Sequence, residues 1–496
     1  MTRRPKFAAS KTARDLAVEV AYLCDQEGMY ANAAWSQALS GKEMDARDRR
    51  LAMEIAYGSI RRKKTLDWWI GHASTRPVDL MDPLARALLR TGVYQLLFMS
   101  RVPPHAAVSE SVESAARLGH RGLASFVNAV MRKITSTEFS PEFPDPKGDP
   151  VGYLSVSLSY PEWLVQSWIG EYGVDVARAM LEAGNEAPTI VLRVNRLKIE
   201  REEFSRMLKS EGVLSEPGHL CPEALILSSP IDGVEELPGY HDGLFSVQDE
   251  SSMLVGHVIG VAELVCAANG KKPGALWAES GKEDESGVAE EAIEDGHWPL
   301  IIDACAAPGG KAAHMAELAG CGAKVVACDV ALERVKMIED SVARLGLPSV
   351  EAICCDAREL PDIYSGKADA VLVDAPCSGL GVLGRRPDAR WRRSPDDILE
   401  LSELQEEILD AAARCVKPGG VLVYSTCTVG TRENRDQVQR FAVRHREFVP
   451  SPIAPYMPSA AARAFCSDDG HMIELLPGIS GTDGFFISRF YRKRDI

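Results

Sequence analysis

The stretch Asp303-Ala-Cys-Ala-Ala-Pro-Gly-Gly-Lys311 decides how the C-terminal half of this chain is interpreted. It follows the apolar run WPLII at 298–302 and leads into the sequence GGKAAHMAELAG at 309–320. This succession indicates a buried strand, a tight turn and a helix. Small residues at such a turn let a ligand approach the backbone amides at the start of the helix. The stretch therefore predicts a ligand-binding turn in an α/β domain.

Further strand-like runs follow this stretch, separated by helix-like segments or loops. They lie at 323–330 (AKVVACDV), 349–357 (SVEAICCDA), 368–376 (ADAVLVDAP), 419–427 (GGVLVYSTC) and 481–493 (GTDGFFISRFYRK). This alternation of strands and helices predicts a doubly wound, mainly parallel sheet. The last run alternates enough to predict a final edge strand.

One helix has clear start and stop signals. Ser394 is a candidate N-cap, Pro395 takes the first helical position and Asp397 the third. Apolar residues at helical spacing then share one face. Lys417-Pro418-Gly419-Gly420 ends the pattern before a strand predicted from Val421.

Two regions with other patterns precede the α/β domain. Residues 1–137 carry apolar residues at helical spacing, which predicts an all-helical domain. After a linker rich in Pro and polar residues, strand-like runs flank a helical segment within 150–245, which predicts a small α+β domain. The α/β domain then occupies 246–496. It is interrupted by an insertion at 271–297 with eight acidic residues and three lysines, too polar to form a core.

The composition of the chain is that of an ordinary globular protein. Hydrophobic residues make up 46% and charged residues 26%, which argues against a disordered, collagen-like or membrane-embedded chain. No apolar run follows the N-terminal charges, and the apolar stretch at 255–266 is expected to be too short to span a bilayer. Twelve cysteines without a C-x-x-C pair indicate reduced thiols. We therefore expect a cytoplasmic protein with no zinc site and no membrane contact.

The net charge of −15 argues at first against a nucleic-acid partner. The charge is uneven, however, because residues 1–150 hold 22 lysines and arginines against 17 acidic residues. Part of the remaining acidity lies in the insertion at 271–297. The charge of the whole chain is therefore a poor guide to its partners.

Aspartates close three of the predicted strands: Asp329, Asp356 and Asp374. Asp329 lies twenty positions after Gly309, which suits hydrogen bonding to a ribose diol, and Asp356 is placed to meet an adenine edge. The spacing fits either a dinucleotide or S-adenosylmethionine, and the turn lacks a full G-x-G-x-x-G. The alternative is a plain glycine turn with helix-capping aspartates. Ligands bind outside the carboxyl ends of such strands, which favours the ligand site.

Two cysteines, Cys377 and Cys427, follow the fourth and fifth predicted strands at the same edge. A lone cysteine is usually a small core residue, and the sequence does not show whether these two converge. Converging thiols beside Asp374 would suit methylation of a pyrimidine carbon. A thiolate adding to carbon 6 of cytosine makes carbon 5 nucleophilic, and a carboxyl group stabilises the charge that develops on the ring. Residue types alone leave open which thiol attacks.

The segment RRPDARWRR at 385–393 comes directly after the Cys377 loop. Five arginines in nine residues predict phosphate binding, and Trp391 offers a surface for base stacking. The alternative is a solvated charge run that forms surface ion pairs. The candidate RNA-binding residues are Arg385, Arg386, Arg390, Arg392 and Arg393.

With these motifs, the chain resembles the bacterial RsmB (Sun/Fmu) group of rRNA cytosine-C5 methyltransferases, within the NOL1/NOP2/Sun family. CAAPGGK, DAPCSG-x-G…RRPD-x-x-W and YSTC-x(5)-EN occur in the order and spacing of that family. RVN at 193–195 and VQDESS at 247–252 resemble its auxiliary domain and junction. The resemblance implies an all-α NusB-like domain, a small α+β (RRM-like) domain and an α/β Rossmann-like methyltransferase domain.

The resemblance also implies roles for individual residues. The thiol of the Thr-Cys motif, Cys427, would be the nucleophile, and Cys377 would assist proton removal and product release. Asp374 would contact the cytosine. The residues implied to bind or border S-adenosylmethionine are Cys305, Ala306, Ala307, Pro308, Gly309, Gly310, Lys311, Asp329, Asp356 and Asp374.

The activity that the resemblance implies is methylation of carbon 5 of one cytosine in small-subunit (16S) rRNA. The rRNA would be unassembled or partly assembled, and the enzyme a monomer that needs no metal. A non-catalytic RNA-binding or assembly factor is a second hypothesis, against which the intact pair Cys377 and Cys427 argues. A nicotinamide-dependent oxidoreductase is a third, and it would need neither paired thiols nor an arginine-rich segment.

Overall fold

The computed structural model describes residues 5–229, 231, 233–268 and 298–494. The chain divides into two compact units. The helical unit comprises Met1–Ala187 and Leu383–Arg393, and the sheet unit comprises Pro188–Val382 and Ser394–Ile496. The acidic insertion predicted at 271–297 lies outside the described residues.

The N-terminal part of the helical unit is all-helical, as predicted, because apolar residues at helical spacing meet in shared cores. Leu16, Leu88 and Val127 are fully buried. Thr12 and Asp15 form a capping box that starts the first helix. The helices of this part are Ala13–Gln26, Ala31–Leu39, Ala46–Arg61, Lys63–Ala73, Pro83–Phe98, Pro104–Leu118 and Arg121–Ile134.

Further helices extend the helical unit to residue 187, where the sequence predicted an α+β domain from residue 150. They are Pro150–Leu158, Glu162–Tyr172 and Val174–Ala183. Their start signals are present in the sequence. Asp149 accepts a hydrogen bond from the Gly152 amide at 2.8 Å, and Pro150 follows at the first helical position.

The sheet unit begins with a small antiparallel sheet, which confirms the α+β prediction beyond residue 187. Its strands are β1 (Val191–Val194), β2 (Ser215–Pro217), β3 (Ala224–Leu227) and β4 (Phe245–Val247), in the order β2-β3-β1-β4. Helix Arg201–Ser210 packs on this sheet through Phe204, whose ring stacks on Phe245 with centroids 5.3 Å apart.

A larger sheet forms the rest of this unit and confirms the Rossmann-like prediction. Its strands are β5 (Leu300–Asp303), β6 (Lys324–Asp329), β7 (Val350–Cys354), β8 (Ala368–Asp374), β9 (Val416–Thr426), β10 (Phe448–Pro450), β11 (Met472–Leu475) and β12 (Phe485–Arg492). The order is β10-β12-β9-β8-β5-β6-β7, with β11 also paired to β12. Strands β5 to β9 run parallel, so their carboxyl ends share one edge.

Strand β12 is not the edge strand that the sequence predicted. It pairs antiparallel with β9 on one side and with β10 and β11 on the other. Residues 485–490 are all buried, which is the pattern of a strand inside a sheet. The polar residues Ser488 and Arg489 made the run look like a strand with alternating apolar and polar residues, but both side chains are buried.

Helices cover both faces of the large sheet and pack against its buried side chains. The helices of this part are Glu250–Ile259, Val261–Ala268, Gly310–Leu318, Leu332–Leu345, Leu360–Tyr364, Pro395–Cys415, Arg435–Arg444 and Ala460–Arg463. The capping box predicted at Ser394 and Asp397 is confirmed. Strand β9 begins at Val416 rather than Val421, because the pairing with β8 continues through a register shift between Ala368 and Ala370.

The stretch Glu250–Ala268, which extends beyond the apolar residues 255–266, is long and apolar enough to cross a membrane by length and composition alone. Within that stretch, 61% of the most apolar window is buried inside the protein. Helix Glu250–Ile259 packs against Gly310–Leu318. This burial is the pattern of a core helix.

Arg193 of β1 joins the small sheet to the large one. Its side chain is fully buried and forms a bidentate ion pair with Glu317 at 2.8 and 3.1 Å. It also donates to the Gly310 carbonyl at 2.6 Å and to the Gln248 side chain. A buried guanidinium is tolerated only when acceptors surround it, as they do here.

We expect Glu317→Gln to lower the free energy of unfolding by about 3–5 kcal/mol, because it leaves the Arg193 cation buried without a counter-charge. The control is Lys324→Met, which breaks the pair with Glu351 at 2.7 Å between two half-exposed side chains. That loss is expected to cost about 0.2–1 kcal/mol. Urea denaturation of both variants measures the difference, and equal losses would contradict the structural role of Arg193.

Candidate active site

The candidate site is built at the carboxyl edge of the parallel strands. Asp303 closes β5 beside Leu372 of β8, and Asp374 closes β8 beside Ser425 of β9. Asp329 closes β6. Because the carboxyl ends of parallel strands share one edge of the sheet, the fold brings these groups to one crevice.

The turn after β5 has the geometry that its small residues predict. Gly309 takes a left-handed conformation with φ of 101° directly before helix Gly310–Leu318. A Cβ atom at this position would lie 3.2 Å from the Cα of Ile338, which is closer than ordinary contact. A side chain would also strain the left-handed backbone, so the position requires glycine. The amides at the start of the helix are left facing the crevice.

Asp303 is a residue of this site that the sequence reasoning missed. It is fully buried, and apart from the nearby Cys305 amide neither carboxylate oxygen has a hydrogen-bond partner among the described residues. Burial and the nearby Asp374 raise the pKa of Asp303 to about 7, although Lys311 opposes the shift. An acidic residue at the strand end before the turn was the available signal. A buried carboxylate with so few partners fits a cationic ligand group.

Asp329 and Asp356, which were also predicted at strand ends, differ in their surroundings. Asp329 is buried, and its oxygens accept hydrogen bonds from the Ala307 and Ala331 amides at 3.3 Å. Asp356 lies on the surface side, where Arg358 binds it at 2.7 Å and holds the pKa of Asp356 below its ordinary value. An adenine edge at Asp356 would therefore compete with this ion pair.

The two cysteines converge, which the sequence could not show. The Sγ atoms of Cys377 and Cys427 lie 3.3 Å apart. The hydrogen bond with Cys427 and burial raise the pKa of Cys377 well above its ordinary value. Cys377 is therefore a protonated thiol at neutral pH, able to donate its proton to the sulfur of Cys427.

Asp374 and Lys311 form an ion pair next to the thiols. The Lys311 Nζ lies 2.8 Å from one carboxylate oxygen of Asp374, and the Ser425 hydroxyl donates to the other at 2.8 Å. Burial alone would lower the pKa of Lys311, but the Asp374 carboxylate and the Cys427 sulfur raise it. The ammonium group is therefore a fixed positive charge beside the thiol pair.

A buried carboxylate behind the thiols, Glu433, fixes the loop that carries Cys377. It accepts hydrogen bonds from the Ser378 amide and from the Gln405 side chain, both at 2.9 Å. The neighbouring Asn434 accepts from the Thr426 hydroxyl at 2.6 Å and donates to the Thr428 carbonyl at 3.2 Å. The sequence reasoning gave Glu433 and Asn434 no role, although the YSTC-x(5)-EN spacing was a signal for both.

The arginine-rich segment belongs to the helical unit, and one prediction for it was wrong. Arg390 is fully buried, stacks 3.9 Å above the Tyr160 ring and donates to the Gly184 carbonyl at 2.7 Å. Its guanidinium is enclosed by protein acceptors and does not reach an RNA phosphate. Trp391 is half-buried and donates its indole N–H to the Ile60 carbonyl at 2.7 Å. Of the other candidates, Arg386 and Arg392 are exposed, and Arg385 and Arg393 are half-buried.

Models of three families match the chain. The 16S rRNA methyltransferase RsmB/F family matches residues 292–491, the NusB family matches 11–136, and the RsmF/B-like ferredoxin-like domain matches 160–233.

Curated relatives match nearly the whole chain. The probable ribosomal RNA small subunit methyltransferase B of Bacillus subtilis is 35% identical, covering 97% of this chain and 98% of its own. The ribosomal RNA small subunit methyltransferase B of Cronobacter sakazakii is 32% identical, covering 90% and 91%.

Solved structures share the fold. The crystal structure of PH0851 superposes with a TM-score of 0.75 at 26% identity, covering 97% of this chain and 99% of that one. The structure of NSun6 from Pyrococcus horikoshii with SFG has a TM-score of 0.55 at 23% identity and covers 69% of this chain and 100% of that one.

The raised pKa of Asp303 predicts a stability change with pH. The folded protein holds this proton up to about pH 7, whereas the unfolded chain releases it near pH 4. Its contribution to the free energy of unfolding therefore falls as pH rises between these values, by on the order of 1.4 kcal/mol per pH unit, and is constant above pH 7.

We expect Asp303→Asn to remove this fall and to be more stable than the parent protein at pH 8. Urea denaturation at pH 5, 6, 7 and 8 measures the effect. The exposed Asp362→Asn is the control and should follow the parent protein. If the free energy of unfolding of Asp303→Asn changed with pH as it does in the parent protein, the interpretation of Asp303 as a buried acid with a raised pKa would be wrong.

Proposed function

This chain belongs to the RsmB/F family of 16S rRNA methyltransferases, and from that premise we propose that it methylates carbon 5 of one cytosine with S-adenosylmethionine. The observation that carries the proposal is the contact between Cys377 and Cys427, 3.3 Å apart beside Asp374. Methylation of an oxygen or of an exocyclic amine needs no thiol, whereas carbon 5 of cytosine is too weak a nucleophile without one.

We assign the attack to Cys427. Its sulfur accepts a hydrogen bond from the Cys377 thiol, whose raised pKa keeps that thiol protonated. The Lys311 ammonium stabilises the negative charge on Cys427 once its own proton has passed to solvent. The Cys427 thiolate forms a bond to carbon 6, and the electron pair of the 5,6 double bond becomes available at carbon 5. Carbon 5 would then take the methyl group of bound S-adenosylmethionine, whose bond to the sulfonium sulfur breaks so that S-adenosylhomocysteine is the leaving group.

Release reverses the addition. The proton on carbon 5 leaves to a base, the double bond re-forms, and the bond between carbon 6 and Cys427 breaks. We assign Cys377, which contacts the departing sulfur, to a proton relay in this step: it donates its thiol proton to the leaving Cys427 thiolate and takes up the carbon 5 proton, so that both thiols are restored. Asp374, held by Lys311 and Ser425, would stabilise the ring charge of the adduct.

We propose that the turn at 305–311 holds the cofactor. Its residues Cys305, Ala306, Ala307, Pro308, Gly309, Gly310 and Lys311 supply a side-chain-free approach to the helix amides. The buried Asp303 carboxylate suits the amino group of the methionine part. The buried Asp329 suits the ribose diol, and Asp356 suits the adenine if Arg358 shares it.

The cytosine must leave its base stack to expose carbon 6 to the thiol, so the substrate nucleotide is single-stranded or extruded. We propose small-subunit rRNA, unassembled or partly assembled, as the substrate and a monomeric enzyme. The exposed Arg386 and Arg392 keep their proposed phosphate contacts, and Arg385 and Arg393 are half-buried beside them in sequence.

The test incubates the protein with labelled S-adenosylmethionine and unmodified 16S rRNA and maps 5-methylcytosine. Cys427→Ala is expected to lose at least about 10³-fold in rate, because no adduct forms. Cys377→Ala is expected to accumulate a covalent protein–RNA complex that survives denaturing electrophoresis, because release is blocked. Cys321→Ala, a half-buried thiol before the amino end of β6 and so at the opposite edge of the sheet, is the control and should behave as the parent protein.

The outcomes separate the alternatives. Undiminished labelling by Cys427→Ala would overturn the proposed nucleophile. A covalent complex with Cys427→Ala but none with Cys377→Ala would reverse the two roles. RNA binding without any methyl transfer by the parent protein would favour an assembly factor.

A further inference from the structure

The helical unit contains a cavity that the proposed chemistry does not use. Its volume is about 350 Å³, within the range of pockets that hold a small ligand. Helix residues Ala21, Met29 and Ile60 supply apolar walls, and the segment after the Cys377 loop supplies Asp388, Trp391 and Arg392. A segment from the C-terminal half of the chain therefore completes a pocket in the N-terminal unit.

Trp391 gives the cavity an aromatic wall that is held in place. Its indole N–H is bonded to the Ile60 carbonyl at 2.7 Å, and the Lys63 ammonium lies 5.8 Å from its ring centroid. Such a fixed, half-buried ring is a surface on which a planar group can stack.

Asp388 gives the cavity a negative charge without a cationic partner. It is only 7% exposed, and no described lysine, arginine or histidine pairs with it. One oxygen accepts a hydrogen bond from the Ala31 amide at 3.3 Å, and the other has no protein donor among the described residues yet is not sealed from solvent. The carboxylate is therefore available to a ligand with N–H donors.

The other charges of the cavity point to an anion at its rim. Asp25 is neutralised by Lys63, Arg86 and Arg90, all at 2.9–3.0 Å, so it offers no free charge. Arg392 is exposed, stacks 3.9 Å above the Tyr30 ring and donates to the Gly28 carbonyl. Because the side chain is exposed, a phosphate in solution can reach its guanidinium.

We propose that this cavity binds an unpaired guanine nucleotide of the RNA substrate. The guanine base stacks on Trp391 and donates its neighbouring ring N–H and amino group to Asp388, while its phosphate lies beside Arg392. Guanine is favoured because it is the base that offers two adjacent donors to a carboxylate, whereas uracil and cytosine present at least one acceptor there.

The inference rests on the proposed function in taking RNA as the partner. Binding is therefore measured without S-adenosylmethionine, so that loss of methyl transfer and loss of this site give different results. The probes are the labelled oligonucleotides UUGUU and UUUUU, followed by fluorescence anisotropy with the full-length protein. We expect UUGUU to bind about 10-fold more tightly than UUUUU.

Asp388→Asn is expected to abolish this preference while leaving UUUUU binding unchanged. The asparagine oxygen can still accept from the Ala31 amide, so the segment keeps its anchor. Asp45→Asn is the matched control in the same unit, because Asp45 caps the helix from Ala46 at the surface and Asn caps equally well. Met29→Trp, which fills the cavity without touching the carboxylate, should also remove the preference.

Three results would overturn the assignment. The parent protein could bind both oligonucleotides equally, or Asp388→Asn could keep the preference. Free GMP binding as tightly as UUGUU would identify a site for a free nucleotide rather than for RNA. Retention of the preference by Cys427→Ala, which cannot methylate, is expected and would show that the pocket acts independently of the thiol chemistry.

Discussion

The buried carboxylate of Glu433 is the interaction on which the site depends. The carboxylate accepts hydrogen bonds from Ser378 in the loop after β8 and from Gln405 of helix Pro395–Cys415. The backbone carbonyl of Glu433 accepts a hydrogen bond from the Tyr424 hydroxyl of β9. Three separate segments thus converge on one residue. These hydrogen bonds fix the loop that carries Cys377 beside β9, the strand that leads to Cys427, and the two thiols are in contact although they lie 50 positions apart in sequence. A charge in the protein interior needs such complete hydrogen bonding, and here the requirement also defines the geometry of the sulfur pair.

Much of the fold was predictable because its signals are local. The strand, turn and helix around Asp303–Lys311 follow from apolar runs and glycines, and the helix from Pro395 follows from its capping box. The convergence of Cys377 and Cys427 was not predictable from residue types, since it depends on the pairing of β8 with β9. Asp303 was missed for a related reason: its position at a strand end before the turn was a signal, but its burial among few partners is a property of the packed site that the sequence does not show.

The arginine-rich segment shows the limit of reading charge from sequence. Five arginines in a row of nine indicate a phosphate surface, yet Arg390 points inward and is held by carbonyl oxygens and the Tyr160 ring. An arginine with a long apolar stem can fill a core position when acceptors are already placed there. Its neighbours Arg386 and Arg392 are exposed, so one short segment carries both a structural cation and charges that face solvent.

The helical unit is made from two parts of the chain, Met1–Ala187 and Leu383–Arg393. During synthesis its helices emerge from the ribosome long before the short segment that contributes Arg390 and Trp391. Until then the carbonyls of Ile60 and Gly184 lack these donors, and the Tyr160 ring lacks its covering group. The N-terminal region therefore lacks these contacts until the downstream segment has been translated. The maturation of this unit is set by the translation of a segment almost two hundred residues downstream.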